Sequence, residues 1–208
     1  VAAAITALVA VMGMLDSFGG TIDTASEDTA KDHPARLTAA LDGFYSTDDP
    51  TARAIGAIEG VARVDHGVQL PAVARFGDTE IDLLIETIDF ENAAWTPTAS
   101  QGAVAAGDAG LVVAADAAAD LGVGVGDRIV VTHPVRSGLA FAMETEELPV
   151  IAIHPNPLRV FAYATSTTAS AWGFDGLTNV AQVIPTSVDE RDAVQRRLFA
   201  AEGVASAQ

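Results

Sequence analysis

Two stretches near opposite ends of the chain carry the same four residues at the same point of the same pattern: Ile58-Glu-Gly-Val-Ala-Arg-Val64 and Ala201-Glu-Gly-Val-Ala-Ser-Ala207. Each closes a strand–helix–strand passage. In the first, residues 36–44 read as a strand. Asp49 with Pro50 in the first turn starts a helix through Ala52, Ile55 and Ile58, and residues 61–64 begin the next strand. In the second, residues 179–184 read as a strand. Pro185-Thr-Ser-Val-Asp189 starts a helix carrying Ala193, Val194, Leu198 and Phe199, and residues 204–207 are the closing strand. Glycine suits the left-handed position after a helix and valine suits strand entry. Two such units can pair into one four-stranded sheet with both helices on one face, a ferredoxin-like arrangement. The expected fold class is therefore α+β, a split strand–helix–strand subdomain with a strand-rich insertion.

The insertion, residues 66–176, has its own elements. Residues 68–76 and 80–88 form a hairpin around Gly77-Asp78. A long, mostly irregular stretch, 89–110, contains Trp95-Thr-Pro97. A strand over 110–113, an Ala-rich helix over 114–121 and a glycine turn lead to a strand over 128–133. A polar loop with Arg136, Ser137 and Gly138 then precedes residues 139–144, a strand over 148–154, another over 160–165 and a short helix over 168–172.

Residues 1–15 contain no charged side chain and only Thr6 as a polar one. As a helix they cover about 22 Å, short of a hydrocarbon core of about 30 Å. They read as the outer end of a membrane helix. Asp16, Asp23, Glu27 and Asp28 follow, with no Lys or Arg before Lys31, so this flank reads as the non-cytoplasmic side. Leu15, Phe18, Ile22 and Ala25 continue the helical spacing as a stalk. The expected division is thus 1–30 for the membrane-helix end and stalk, 35–65 plus 177–208 for the ferredoxin-like subdomain, and 66–176 for the insertion. The net charge of −17 repels nucleic-acid phosphate, which excludes that class of partner. Cysteine is absent, so thiolate catalysis, disulfides and cysteine–zinc sites are excluded.

No catalytic constellation emerges, and no cofactor or metal is expected. The four histidines, His33, His66, His133 and His154, lack the i, i+3 or i, i+4 spacing of a helical metal pair. His133 and His154 sit near strand ends and read as capping or surface residues, or alternatively as a pair that meets in space. Gly122-Val-Gly-Val-Gly-Asp127 follows a helix and precedes a strand, the reverse of a dinucleotide fingerprint, and reads as a helix cap and tight turn. Asp82 and Glu86 share one strand face, read as solvated. Phe90, Trp95, Phe161, Tyr163 and Trp172 are large side chains of the insertion. They read as its core, or, for Phe90, Trp95 and Trp172, as a contact patch for a partner or substrate.

In order, these pieces resemble the extracytoplasmic domain of MacB/FtsX-type ABC transporter permeases. The carrying segments are the apolar residues 1–15, Ala57-Ile-Glu-Gly-Val-Ala-Arg-Val64 and Asp116-Ala-Ala-Ala-Asp-Leu-Gly-Val-Gly-Val-Gly-Asp-Arg-Ile-Val130, and residues 188–208. Asp89-Phe90, Trp95-Thr-Pro97, His133-Pro-Val-Arg136 and His154-Pro-Asn-Pro-Leu-Arg159 are similar to runs in actinobacterial-style members. The resemblance implies a porter-like subdomain with an inserted strand-rich one, and a module that moves rather than catalyses. It also implies a cytoplasmic ATP-binding subunit, a permease dimer and anchorage in the lipid bilayer through residues 1–15. The rival expectations are a membrane-anchored extracytoplasmic binding domain without a transport role, and an anchored hydrolase using the His133 and His154 region.

Overall fold

The computed structural model describes residues 35–138, 140–156 and 158–208. The expected membrane-helix end and stalk, and His33, lie outside the described residues. Among the described residues no helix is long and apolar enough to cross a membrane.

Four strands from the two ends of the described chain form one antiparallel sheet. β1 (Leu37–Ser46) and β2 (Val61–Gly67) flank helix α1 (Pro50–Gly56) in sequence. The numbering of the inserted strands places the other two at β10 (Leu177–Pro185) and β11 (Val204–Ala207), flanking helix α4 (Arg191–Phe199). The order across the sheet is β11-β1-β10-β2. Alternation along β1 sends Leu37, Ala39 and Leu41 to the helix side, where they meet Ile55, Ala181, Val183, Val194, Leu198 and Ala207 in one core. Thr38 and Ala40 face the other way.

Asp49 caps α1 by accepting from the Thr51 N–H at 2.8 Å, and Pro50 occupies the first turn. The helix ends at Gly56, earlier than the apolar spacing through Ile58 suggests. Gly60 and Gly203 each sit four residues beyond the last helical residue, with φ of +90° and +79°. The shared glycine is thus a turn residue ahead of the strand and not the first residue after the helix. At Gly203 an added Cβ would lie 2.4 Å from Thr51 Cγ2, so a close approach reinforces the φ requirement.

The intervening chain forms a second sheet. It contains β3 (Gln69–Phe76), β4 (Thr79–Ile88), β5 (Gln101–Gly102), β6 (Leu111–Ala114), β7 (Arg128–Ser137), β8 (Ala140–His154) and β9 (Phe161–Thr165). Its order is β5-β8-β6-β9-β4-β3-β7, and β7 pairs back onto β8. Six strands therefore close into a barrel, with β5 on the edge of β8. Leu70, Ile85, Leu111, Ile129, Val131 and Val150 fill the interior, joined by Leu121 of helix α2 (Ala115–Leu121). Helix α3 (Ser166–Ala171) is capped by Thr165, which accepts from the Thr168 N–H.

One expectation is corrected here. β7 and β8 form a single long hairpin, pairing from Arg128↔Pro149 to Ser137↔Ala140, where the sequence reading placed a polar loop and two shorter strands. The acids Glu144, Glu146 and Glu147 lie on an exposed stretch of strand, where charge is tolerated without ending the ladder.

Candidate functional site

The two sheets meet over a cleft built from side chains that lie far apart in sequence. Arg36, just before β1, donates from Nη1 to Gln182 Oε1 at 2.8 Å, and Thr38 Oγ1 donates to the same oxygen at 2.9 Å. With its oxygen facing two donors, the Gln182 amide presents Nε2 to Glu86 and donates to Oε1 at 2.6 Å. Arg36 and Thr38 belong to the start of β1, Gln182 to β10 and Glu86 to β4. The relay Arg36–Gln182–Glu86 therefore runs from the four-stranded sheet into the barrel.

Apolar and aromatic groups wall this relay. The Arg36 guanidinium carbon lies 3.6 Å from the Trp95 ring centroid, a cation–π contact. Trp95 meets Tyr163 edge-on at 5.9 Å, and Tyr163 meets His154 edge-on at 5.2 Å. Two cavities, of about 190 and 310 Å³, flank the relay and share Glu86, Trp95 and Gln182 as lining. The smaller is bordered by the loop after β4. There Asp89 accepts from the Glu91 and Asn92 N–H groups, and Asp65 accepts from the Ala94 N–H at 2.7 Å. Arg63 bonds both Asp65 and the Asn92 carbonyl.

The electrostatics follow from burial. Glu86 is 5% exposed. Desolvation pushes its carboxyl above the usual carboxylate range, opposed by the Gln182 hydrogen bond and by the Arg36 charge. Desolvation also pulls the Arg36 guanidinium below its ordinary value, and the Glu86 charge opposes this. Tyr163 is pushed up by burial and then by the neighbouring Glu86. His66, at the rim, is lowered by desolvation. Asp89 is held low, first by the Asn92 side chain.

The sequence-predicted candidates separate. Phe90 and Trp95 come together, in one cluster with Ile88, Val112 and Tyr163. Trp172 does not join them. It is 2% exposed and lies in the barrel core, so it is not part of a surface patch. Its ring meets that of His133 at 4.1 Å, tilted by 32°, and it donates from Nε1 to Glu146.

The histidines are also corrected. Neither His133 nor His154 is a surface residue: they are 0% and 1% exposed. Nor do they meet. His133 stands opposite Glu144 in the β7–β8 ladder, and His154 lies ten residues further along β8, about 33 Å of strand. A shared His133–His154 hydrolytic site is therefore overturned. His154 has a structural role: Nε2 donates to the Phe161 carbonyl at 3.1 Å and Nδ1 accepts from the Asn156 N–H at 3.3 Å. That pattern fits a neutral ring, and desolvation lowers its pKa accordingly. Glu86 departs from the expected solvated face as well. Asp82 is exposed, but the four-stranded sheet covers Glu86.

Arg36 and Gln182 were not singled out by the sequence, Glu86 read as solvated and Tyr163 only as core. The one available signal was Glu86 itself, an acid inside the apolar run Leu83-Leu-Ile-Glu-Thr-Ile88. A charge in a strand covered on both faces needs a partner, but nothing in the sequence identifies a partner 96 residues away. Among the described residues no group of three or more His, Asp or Glu side chains is arranged to hold a metal ion.

The chain shares its fold with the periplasmic region of MacB from Actinobacillus actinomycetemcomitans, with a TM-score of 0.50 and 10% identity over 83% of this chain and 86% of that one. The extracellular domain of the noncanonic ABC-type transporter YknZ from Gram-positive bacteria aligns over 82% of this chain and 98% of that one, with a TM-score of 0.49 and 11% identity. No family model matches the sequence, and no curated protein matches it significantly.

Proposed function

We propose that the chain is the extracytoplasmic domain of an ABC transporter permease, relaying ATP-driven motion from the membrane to substrate handling or partner regulation outside it. The observation that carries this reading is where the ends of the described chain lie. β1 and β11 are neighbours, and Thr38 and Gln208 exchange backbone hydrogen bonds at 2.8 and 3.1 Å. Residue 35 and residue 208 thus leave the sheet side by side, as a domain suspended between two membrane segments requires. The fold shared with the MacB periplasmic region and the apolar sequence of residues 1–15 support the same reading.

In this reading residues 35–65 and 177–208 are the porter-like subdomain, and 66–176 the inserted one. Residues 1–15 enter the lipid bilayer, the permease is a dimer, and a cytoplasmic ATP-binding subunit drives it. Phe90, partly exposed on the loop beside the smaller cavity, offers the contact surface for substrate or partner, and Trp95, 7% exposed, backs it from the cavity wall. The domain itself performs no catalysis.

The test is the complete gene product, extracted from membranes in mild detergent. The reading expects hydrophobic spans after Gln208 and co-purification of an ATPase. A product with no further spans that purifies without an ATPase overturns it, and makes a membrane-anchored binding domain the better account.

A further inference from the structure

The two halves of the molecule have separate apolar cores, one under α1 and α4 and one inside the barrel. The side-chain hydrogen bonds that join them are few and ordered. Asn179 makes two with the Gln69 backbone, accepting from its N–H at 2.7 Å and donating to its carbonyl at 2.9 Å. Gln69 and Asn179 follow the two covalent crossings between the halves, residues 67–69 and 172–177, so this pair ties both crossings at one point. The crossing at Gly67 is tight: an added Cβ would lie 2.8 Å from the Thr87 carbonyl oxygen. Gln182 lies three residues beyond Asn179 on β10, about 10 Å away. There it holds Glu86 of the barrel on one side and Arg36 on the other.

We propose that Arg36, Gln182 and Glu86 form a releasable catch between the two halves, which turn about the Asn179–Gln69 pair when the catch opens. The geometry sets it up for release. No direct ion pair between Arg36 and Glu86 locks the joint; one neutral amide connects the two charges, beside the bonds that Arg63 and Asp65 of β2 make to the Asn92 carbonyl and the Ala94 N–H of the loop after β4. When the halves part, both charges regain water together, so the solvation recovered offsets the bonds broken. Removing one charge has the opposite effect, leaving the other buried without its partner. The catch adjoins the start of β1, where the first 34 residues join the sheet, so displacement there reaches β4 through Gln182. The proposal stands on side-chain geometry and does not depend on the transport reading.

The chain has no cysteine, so two introduced thiols label cleanly. Exposed Ala54 on α1 and exposed Asp78 at the β3–β4 turn place one spin label on each half. Electron–electron distance measurements on A54C/D78C expect one narrow distribution. Gln182→Leu removes all three side-chain hydrogen bonds at nearly constant bulk and should add a second distance population or at least double the width. Gln182→Met serves if that variant does not fold. Arg36→Met or Glu86→Leu alone should broaden the distribution, and the R36M/E86L pair should narrow it again, because no stranded charge remains to draw in water. Folded Gln182 variants with an unchanged distribution overturn the proposal, as does a double variant broader than either single one.

Discussion

β1 touches the barrel side of the molecule at both of its ends, by opposite means. At its start, Arg36 and Thr38 reach Glu86 through one amide, in a buried network with one satisfying register. Near its end, Phe44 lies 5.3 Å from Phe141 on β8 and 5.9 Å from Phe174 in the second crossing. Phe44 and Phe141 remain 40% and 52% exposed. The polar joint specifies one relative position and fails sharply when a partner is lost. The aromatic joint adheres over a range of positions and loses little with any one ring.

The largest effect should fall on the polar joint. Glu86→Leu leaves Arg36 uncompensated and should cost about 3 kcal/mol, with R36M/E86L recovering most of it, measured by urea unfolding. Equal costs for the single and double variants would erase the contrast between the two ends. Gly67→Ala, at the crossing between the halves, forces a Cβ against the Thr87 carbonyl and should cost about 2 kcal/mol in the same assay. Phe141→Ala should cost about 1 kcal/mol, with no pH dependence. A loss as large as that of Glu86→Leu would make the aromatic joint the principal one.

The smallest effect concerns pH. Burial raises the Glu86 pKa, so the folded chain holds that proton more tightly than the unfolded chain does. The stability it contributes is complete below the ordinary Glu value of 4.5 and is lost as pH rises through the folded value. Glu86→Gln should therefore flatten the fall in stability on the alkaline side of that value, measured as the thermal midpoint against pH. A parallel pair of profiles would show that Glu86 does not sense the joint. His154 works in the other direction. Its lowered pKa makes stability fall as pH drops below its ordinary 6.5, and His154→Phe should remove that slope.

How much of this could be read beforehand depends on the range of the interactions. The paired Glu-Gly-Val-Ala stretches mark two units whose closing strands lie in one sheet, because capping, turn chemistry and apolar spacing are local. The β3–β4 hairpin around Gly77-Asp78 was legible for the same reason. The closed barrel was not: it depends on β7 returning to β8 through a long exposed hairpin. The cleft was least legible. Trp95 stood out by its size, but Arg36 and Gln182 become neighbours only through the β1–β10 pairing, and Glu86 only when the second sheet lies beneath them. Trp172 shows the converse: a rare aromatic can serve the interior alone.

The adjacency of residues 35 and 208 has a mechanical consequence. β11 is held to the sheet by β1 alone, through a short antiparallel ladder. A load that spreads the two ends would peel β11 away one hydrogen bond at a time. A load that carries both ends in the same direction strains none of those bonds and displaces the sheet whole. The sheet is thus stiff to common motion of residues 35 and 208 and fragile to their divergence.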